Sequence, residues 1–206
     1  KFASMNYHYL RYPIKKFLDK VESSPLTVST LLLGAQLNIF DYSLAGLIEL
    51  DRDIRQRNLK VMAMTPENCV YPVNFCTQDP VTRQSSIRYY QRAIDTAEFL
   101  GCPNIQISTG SVILTSPGKG VEILPGVAGA AGRVLPEETG PAFLEELKVT
   151  TTNVLITSKD IAGMLDEIGS PCIVGMVDMD QMTYAGETVD DYSTSGDGLG
   201  NDITSM

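Results

Sequence analysis

Ser170-Pro-Cys-Ile-Val-Gly-Met-Val-Asp-Met-Asp-Gln181 is the stretch on which the fold turns. Just before it, Ile161, Met164, Leu165 and Ile168 recur at helical spacing from about Ser158, and Gly169 is the residue type that ends a helix in a left-handed turn. A short apolar run, of the kind buried in a sheet, follows after only a few residues and stops at Asp178. A carboxylate taken out of water is costly unless something pairs with it. A salt bridge, a helix N-terminus or a metal ion would each do so.

The same order recurs along the chain. Ile14, Phe17, Leu18 and Val21 follow i, i+3, i+4, i+7 spacing after Pro13. Leu44, Leu47, Ile48 and Ile54 make a looser stripe, with Ser43 as N-cap and Asn58 as stop. Asp79 and Pro80 suit the cap and first position of a third helix, whose stripe is Ile87, Tyr90, Ile94 and Ala97 and whose end is Gly101. LKVMAMTPE follows Asn58, and CPNIQISTG follows Gly101. Helix, tight turn, strand, loop, helix is the grammar of α/β proteins with a parallel sheet, whose doubly covered strands read as continuous apolar runs. Such folds gather their chemistry at strand carboxyl ends, which places Thr65-Pro-Glu67, Ser108-Thr-Gly110 and Asp178 in one layer. Residues 111–141 are rich in Gly and Pro without a clear period, and DDYSTSGDGLGNDITSM at the end reads as polar loop or tail; the structure of 111–141 and 193–206 stays open.

The bulk properties exclude several classes. With 43% hydrophobic and 20% charged residues, the composition is that of a soluble globular protein. No apolar run approaches the ~20 residues of a membrane span, and KFASMNYHYLRYP lacks the apolar core of roughly 7–15 residues of a secretory signal. A cytoplasmic protein is expected. The net charge of -9 argues against a nucleic-acid partner, because phosphate binding relies on clustered Lys and Arg. Cys69, Cys76, Cys102 and Cys172 form no C-x-x-C pair; they read as reduced thiols without zinc-ligand spacing.

Four side chains carry candidate chemistry. Asp178 is a metal ligand, or a strand-end acid that caps the next helix or faces solvent; Asp180 shares its parity and suits solvent. Glu67 is a substrate or metal contact in the loop after a strand, or an acid in a helix's first turn, where the dipole favours it. His8, the only histidine, is a general base or ligand, or a hydrogen-bonded core residue among aromatics that read as core. One histidine excludes any multi-histidine metal site. Gly118-Lys119-Gly120 is rejected as a phosphate loop: no glycine stands five before Gly118 and no Ser or Thr follows Lys119. GVAGAAG lacks G-x-G-x-x-G and is rejected too.

KFASMNYHYLRYP, LKVMAMTPENCVYPVN, QSSIRYYQRAIDTAEFLGCPNIQIS, TSKDIAGMLDEIGSPCIVGMVDM and AGETVDDY, in that order, resemble the sugar phosphate isomerase/epimerase family of xylose-isomerase-like barrels, above all its fructoselysine 3-epimerase and ketose 3-epimerase branch. TPE-x-x-x-YP and GSP…GMVD are the more specific parts. The resemblance implies an α/β fold, a parallel (β/α)8 TIM barrel. It would span residues 1–206 as a single domain, shortened against the roughly 250 residues typical of such barrels. It implies a divalent metal, commonly manganese, held by two glutamates, an aspartate and a histidine; the aspartate of GMVD is Asp178 here. It places Glu67, His8 and Tyr71 at the substrate, a small-molecule sugar or sugar derivative. The implied reaction moves a proton next to a ketose or fructosamine carbonyl through an ene-diolate, and a homo-oligomer stays open.

The chain also departs from the family. EELKVTTTNVLITS lacks the strand that ends in Glu-Pro, and STSGDGLGND stands after DDY where the strand with the metal histidine belongs. The last glutamate strand has no counterpart, and VSTLLLGAQLNIF matches the tryptophan-bearing second strand poorly in a chain without Trp. An inactive or truncated barrel, a sugar-binding or structural remnant, is therefore the alternative. A DNA-repair phosphodiesterase shares the barrel, and the net charge of -9 weighs against it.

Overall fold

Every strand pairing described in this chain is parallel. The computed structural model describes residues 4–26, 28–33, 37–38, 42–66, 73–109, 142–145, 152, 154–194 and 204–205. Two compact units divide the chain, residues 1–67 with 92–105, and residues 68–91 with 106–206.

The first unit runs β1 (Ser4–Met5), a 3-10 helix (Asn6–Tyr9), α1 (Ile14–Glu22), β2 (Val28–Leu33), α2 (Leu44–Gln56) and β3 (Lys60–Pro66). β2 pairs with β1 on one side and β3 on the other, and Met64 of β3 lies opposite Ile105. α1 buries Phe17, Leu18 and Val21, the stripe that its spacing predicts. Ser43 Oγ accepts the Gly46 N–H at 3.1 Å and caps α2, and Asn58 leaves it at φ 55°. The stripe expected of α2 needs correction. Leu50 and Ile54 are buried, whereas Leu44 and Ile48 are 66% and 41% exposed. Apolar residues on two sides of one helix satisfy helical spacing equally well, and only the neighbouring strands choose between them. In β3, Val61 pairs with Ser29 and Ala63 with Thr30, so Met62 is the extra residue of a bulge, its carbonyl accepting from Asn104 Nδ2 at 2.8 Å.

Arg57 ties α1 to α2. Its guanidinium meets Asp19 at 2.8 Å, Glu22 at 2.6 Å and Asp53 at 2.7 Å. That hydrogen-bonded guanidinium holds the Asp19 carboxyl below its ordinary range.

The second unit takes in the first half of α3 (Pro80–Phe99), then most of β4 (Ile105–Ile107), β5 (Ala142–Glu145), α4 (Ser158–Ile168), β6 (Ile173–Val177), α5 (Met179–Ala185), α6 (Val189–Thr194) and β7 (Thr204–Ser205). Asp79 Oδ2 accepts the Thr82 N–H at 2.8 Å and starts α3 as expected. Tyr90, 1% exposed, packs 4.4 Å from the Phe75 ring. Around α4, Thr157 and Asp160 form a capping box, and Gly169 at φ 59° turns the chain into β6. β6 pairs with β5 through Ala142↔Ile173 and Glu145↔Met176, and with β7 through Met176↔Thr204.

Two expectations are revised here. A strand does precede α4, at Ala142–Glu145; four residues carry too little pattern to announce a strand, and pairing with β6 supplies the definition. The final stretch is not wholly tail, since α6 and β7 lie within it and Tyr192 is 3% exposed. Residues 111–141, with Gly118-Lys119-Gly120 and GVAGAAG, lie outside the described residues. Among the described residues no helix is long and apolar enough to cross a membrane.

Candidate functional site

The acid that ends the apolar run sits one residue past β6. Asp178 has extended backbone (φ -100°, ψ 115°), and its Oδ1 accepts the N–H of Asp180 at 2.7 Å and of Gln181 at 3.3 Å. It is the N-cap of α5, and it is half-buried rather than buried. Two peptide N–H dipoles thus stabilise its charge. Both bonds go to Oδ1, so among the described residues Oδ2 takes no hydrogen bond and is the oxygen open to a cation. Asp180, in the first turn of α5, is exposed.

A hard divalent ion takes about six oxygen ligands, some of them water. Among the described residues no three His, Cys, Asp or Glu side chains converge. Asp178 Oδ2 is a chemically suitable donor, but the described residues do not make a metal centre by themselves.

The other candidates fall as follows. Glu67 and Tyr71 lie outside the described residues, and description stops one residue before Glu67, at Pro66 of β3. His8 follows β1 in the 3-10 helix and is exposed, edge-on to the Tyr7 ring at 5.8 Å. The expectation of an aromatic core there is corrected, because Tyr7 and Tyr12 are 56% and 47% exposed. A single 3-10 turn buries little of itself, and here Asn6, at 0% exposed, is the residue turned inward. Tyr9 leans on Phe17 at 5.7 Å, and the Lys16 ammonium stands 3.6 Å above the Tyr12 ring.

A buried polar layer follows β4. Ser108 and Thr109 are 5% and 0% exposed, and the Ser108 N–H lies 3.4 Å from the Tyr90 hydroxyl. Thr109 Oγ1 stands 2.8 Å from Thr152 Oγ1. The position of Thr109 is legible as a strand end, whereas Thr152, within a polar Thr-rich segment, carries no local signal. Burial pushes the Cys76 and Cys102 thiols up to about 12, which keeps both protonated and poorly nucleophilic. On the first unit, an open hollow of about 320 Å³ is lined by Ile14, Tyr42, Ser43, Glu49, Leu50 and Asp53.

The model of the xylose isomerase-like TIM barrel family matches residues 19–202, and the chain belongs to that family. No curated protein matches the chain. Among solved structures, D-allulose 3-epimerase from Methylomonas sp. in complex with D-allulose is 12% identical with a TM-score of 0.81, over 98% of this chain and 69% of that one. The IolI protein with a bound zinc atom is 14% identical with a TM-score of 0.78, over 98% of this chain and 69% of that one. An AP endonuclease of family 2 from Brucella melitensis is 12% identical with a TM-score of 0.78, over 97% of this chain and 76% of that one. What these share with this chain is the barrel fold, which the family resemblance implies and whose parallel α/β class the helix and strand order predicts.

Proposed function

We propose that the protein is a cytoplasmic sugar isomerase or epimerase that moves a proton beside the carbonyl of a ketose or fructosamine through an ene-diolate. The observation that supports this most is Asp178 at the carboxyl end of a parallel strand, in a chain whose residues 19–202 match the barrel family. A neighbour of the same fold is a 3-epimerase with its ketose bound. Fold alone does not select the chemistry, since an endonuclease shares it; the net charge of -9 disfavours a phosphodiester substrate.

A proton next to a carbonyl leaves only if a base lies within hydrogen-bond reach and the developing oxygen charge is stabilised. We assign Glu67 beside the substrate, with His8 and Tyr71 as contacts to the sugar. The cofactor we propose is a divalent metal, manganese, with Asp178 Oδ2 as one ligand. When bound, such an ion polarises a carbonyl oxygen. The described residues supply that single ligand, so proton transfer is assigned to side chains and is not routed through the ion. Purified protein, analysed for metal and incubated with D-allulose, D-fructose and fructoselysine, should carry a divalent ion and invert carbon 3. No turnover across ketoses and fructosamines would refute the proposal.

A further inference from the structure

Thr109 and Thr152 are both 0% exposed, with their hydroxyl oxygens 2.8 Å apart. Thr152 Oγ1 also accepts the Val154 N–H at 3.2 Å. Two hydroxyls carry two protons. One proton lies between the two oxygens. Whichever threonine supplies it, the other threonine's proton points elsewhere, and among the described residues no acceptor takes it. A buried donor without an acceptor carries the full desolvation penalty, and native proteins rarely keep one without a use. Valine would fill the same space with no donor at all. Thr109 also sits two residues past the carboxyl end of β4, and strand carboxyl ends are where barrels collect their ligands. Its neighbour Ser108 is buried as well, and the Tyr90 ring beside it is packed on Phe75.

We propose that the Thr109–Thr152 pair is a one-proton donor site for a hydroxyl oxygen of a polyhydroxylated small molecule. The site rests on the proposal that the protein binds a sugar, and it adds selectivity. A pocket built to donate to an oxygen discriminates strongly against the analogue that lacks it. The pair has one proton to give, so it reads one oxygen.

The test combines a variant and an analogue series, with calorimetric titration and turnover as readouts. The double variant Thr109→Val, Thr152→Val is isosteric; it removes the spare donor but also the acceptor of the Val154 N–H, so it should unfold cooperatively with a slightly lower Tm. Its Kd for D-allulose should rise about 5–30-fold, while Thr109→Ser, Thr152→Ser stays close to the parent. On the parent protein, one monodeoxy-D-fructose should bind about 10-fold worse than D-fructose, and that difference should vanish in the valine pair. A valine pair that binds D-allulose within about twofold of the parent overturns the site. So does a parent that binds every deoxy analogue equally, a result that stands even if the valine pair does not fold. Sugar binding that the valine pair weakens, without turnover in either protein, retires the proposed reaction and keeps the site. Intact turnover with unchanged KM in the valine pair retires the site and keeps the reaction. A parent that binds none of these sugars removes both.

Discussion

Asp178 caps α5 and is the proposed metal ligand, and asparagine separates the two. Asn ranks with Asp as a helix N-cap because its carboxamide oxygen accepts the same N–H groups. Its neutral oxygen is a much poorer ligand for a hard cation. Asp178→Asn should therefore leave stability within about 0.5 kcal/mol of the parent, whereas Asp178→Ala should lose about 1 kcal/mol with the cap. Both should abolish stabilisation by added manganese in a thermal melt. An Asn variant that keeps the manganese response removes Asp178 from the proposed ligand set. The position of this acid is legible in the sequence because an apolar run stops on it. Its partner is not, because a peptide N–H, a guanidinium and a cation satisfy a carboxylate equally well on paper. His8 shows the same limit: aromatic neighbours in sequence suggested a core, and a one-turn helix left the ring exposed.

At the scale of elements, local signals located helix ends well. Ser43, Asp79 and Gly169 act where their residue types predict, because caps and left-handed turns depend on a few consecutive residues. Gly169, at φ 59°, turns α4 into the strand that presents Asp178. An added Cβ there would meet nothing nearer than the Asp166 carbonyl at 3.8 Å, so the cost is conformational only. Gly169→Ala should lower stability by about 1–2 kcal/mol in urea titration, with the folded protein's KM unchanged. The failures at this scale are the buried face of α2 and the short strand β5. Both are decided by what packs against the element, which no window of its own sequence contains.

The whole chain carries a net charge of -9, and Arg57 gathers three of its acids around one guanidinium. These partners are separated by up to 38 positions, so the cluster is a product of folding. Arg57→Met should lower Tm by about 2–4 °C, and the difference should shrink in high salt, since Asp19 and Glu22 are 56% and 51% exposed. The pH dependence has a definite sign. Asp19 titrates below its ordinary value of 3.8 in the folded state, so its contribution is present above that value and lost as pH falls through the folded one. Parent and variant melts should converge in strong acid; a gap that widens there would contradict the ion-pair account.

The chain's own order of residues determined the α/β class, the parallel repeat, most helix boundaries and the placing of Asp178 at a strand end. Each of these follows from periodicity, capping and turn chemistry over fewer than about 20 consecutive residues. Tertiary structure alone decided which face of α2 is buried, that Ala142–Glu145 is a strand, that Asp178 caps a helix, and that Thr109 meets Thr152. Apart from the Asp178 cap, whose N–H partners lie only two and three residues on, those outcomes depend on groups distant in sequence that compete to fill the same space and the same hydrogen bonds, and only the folded chain resolves that competition.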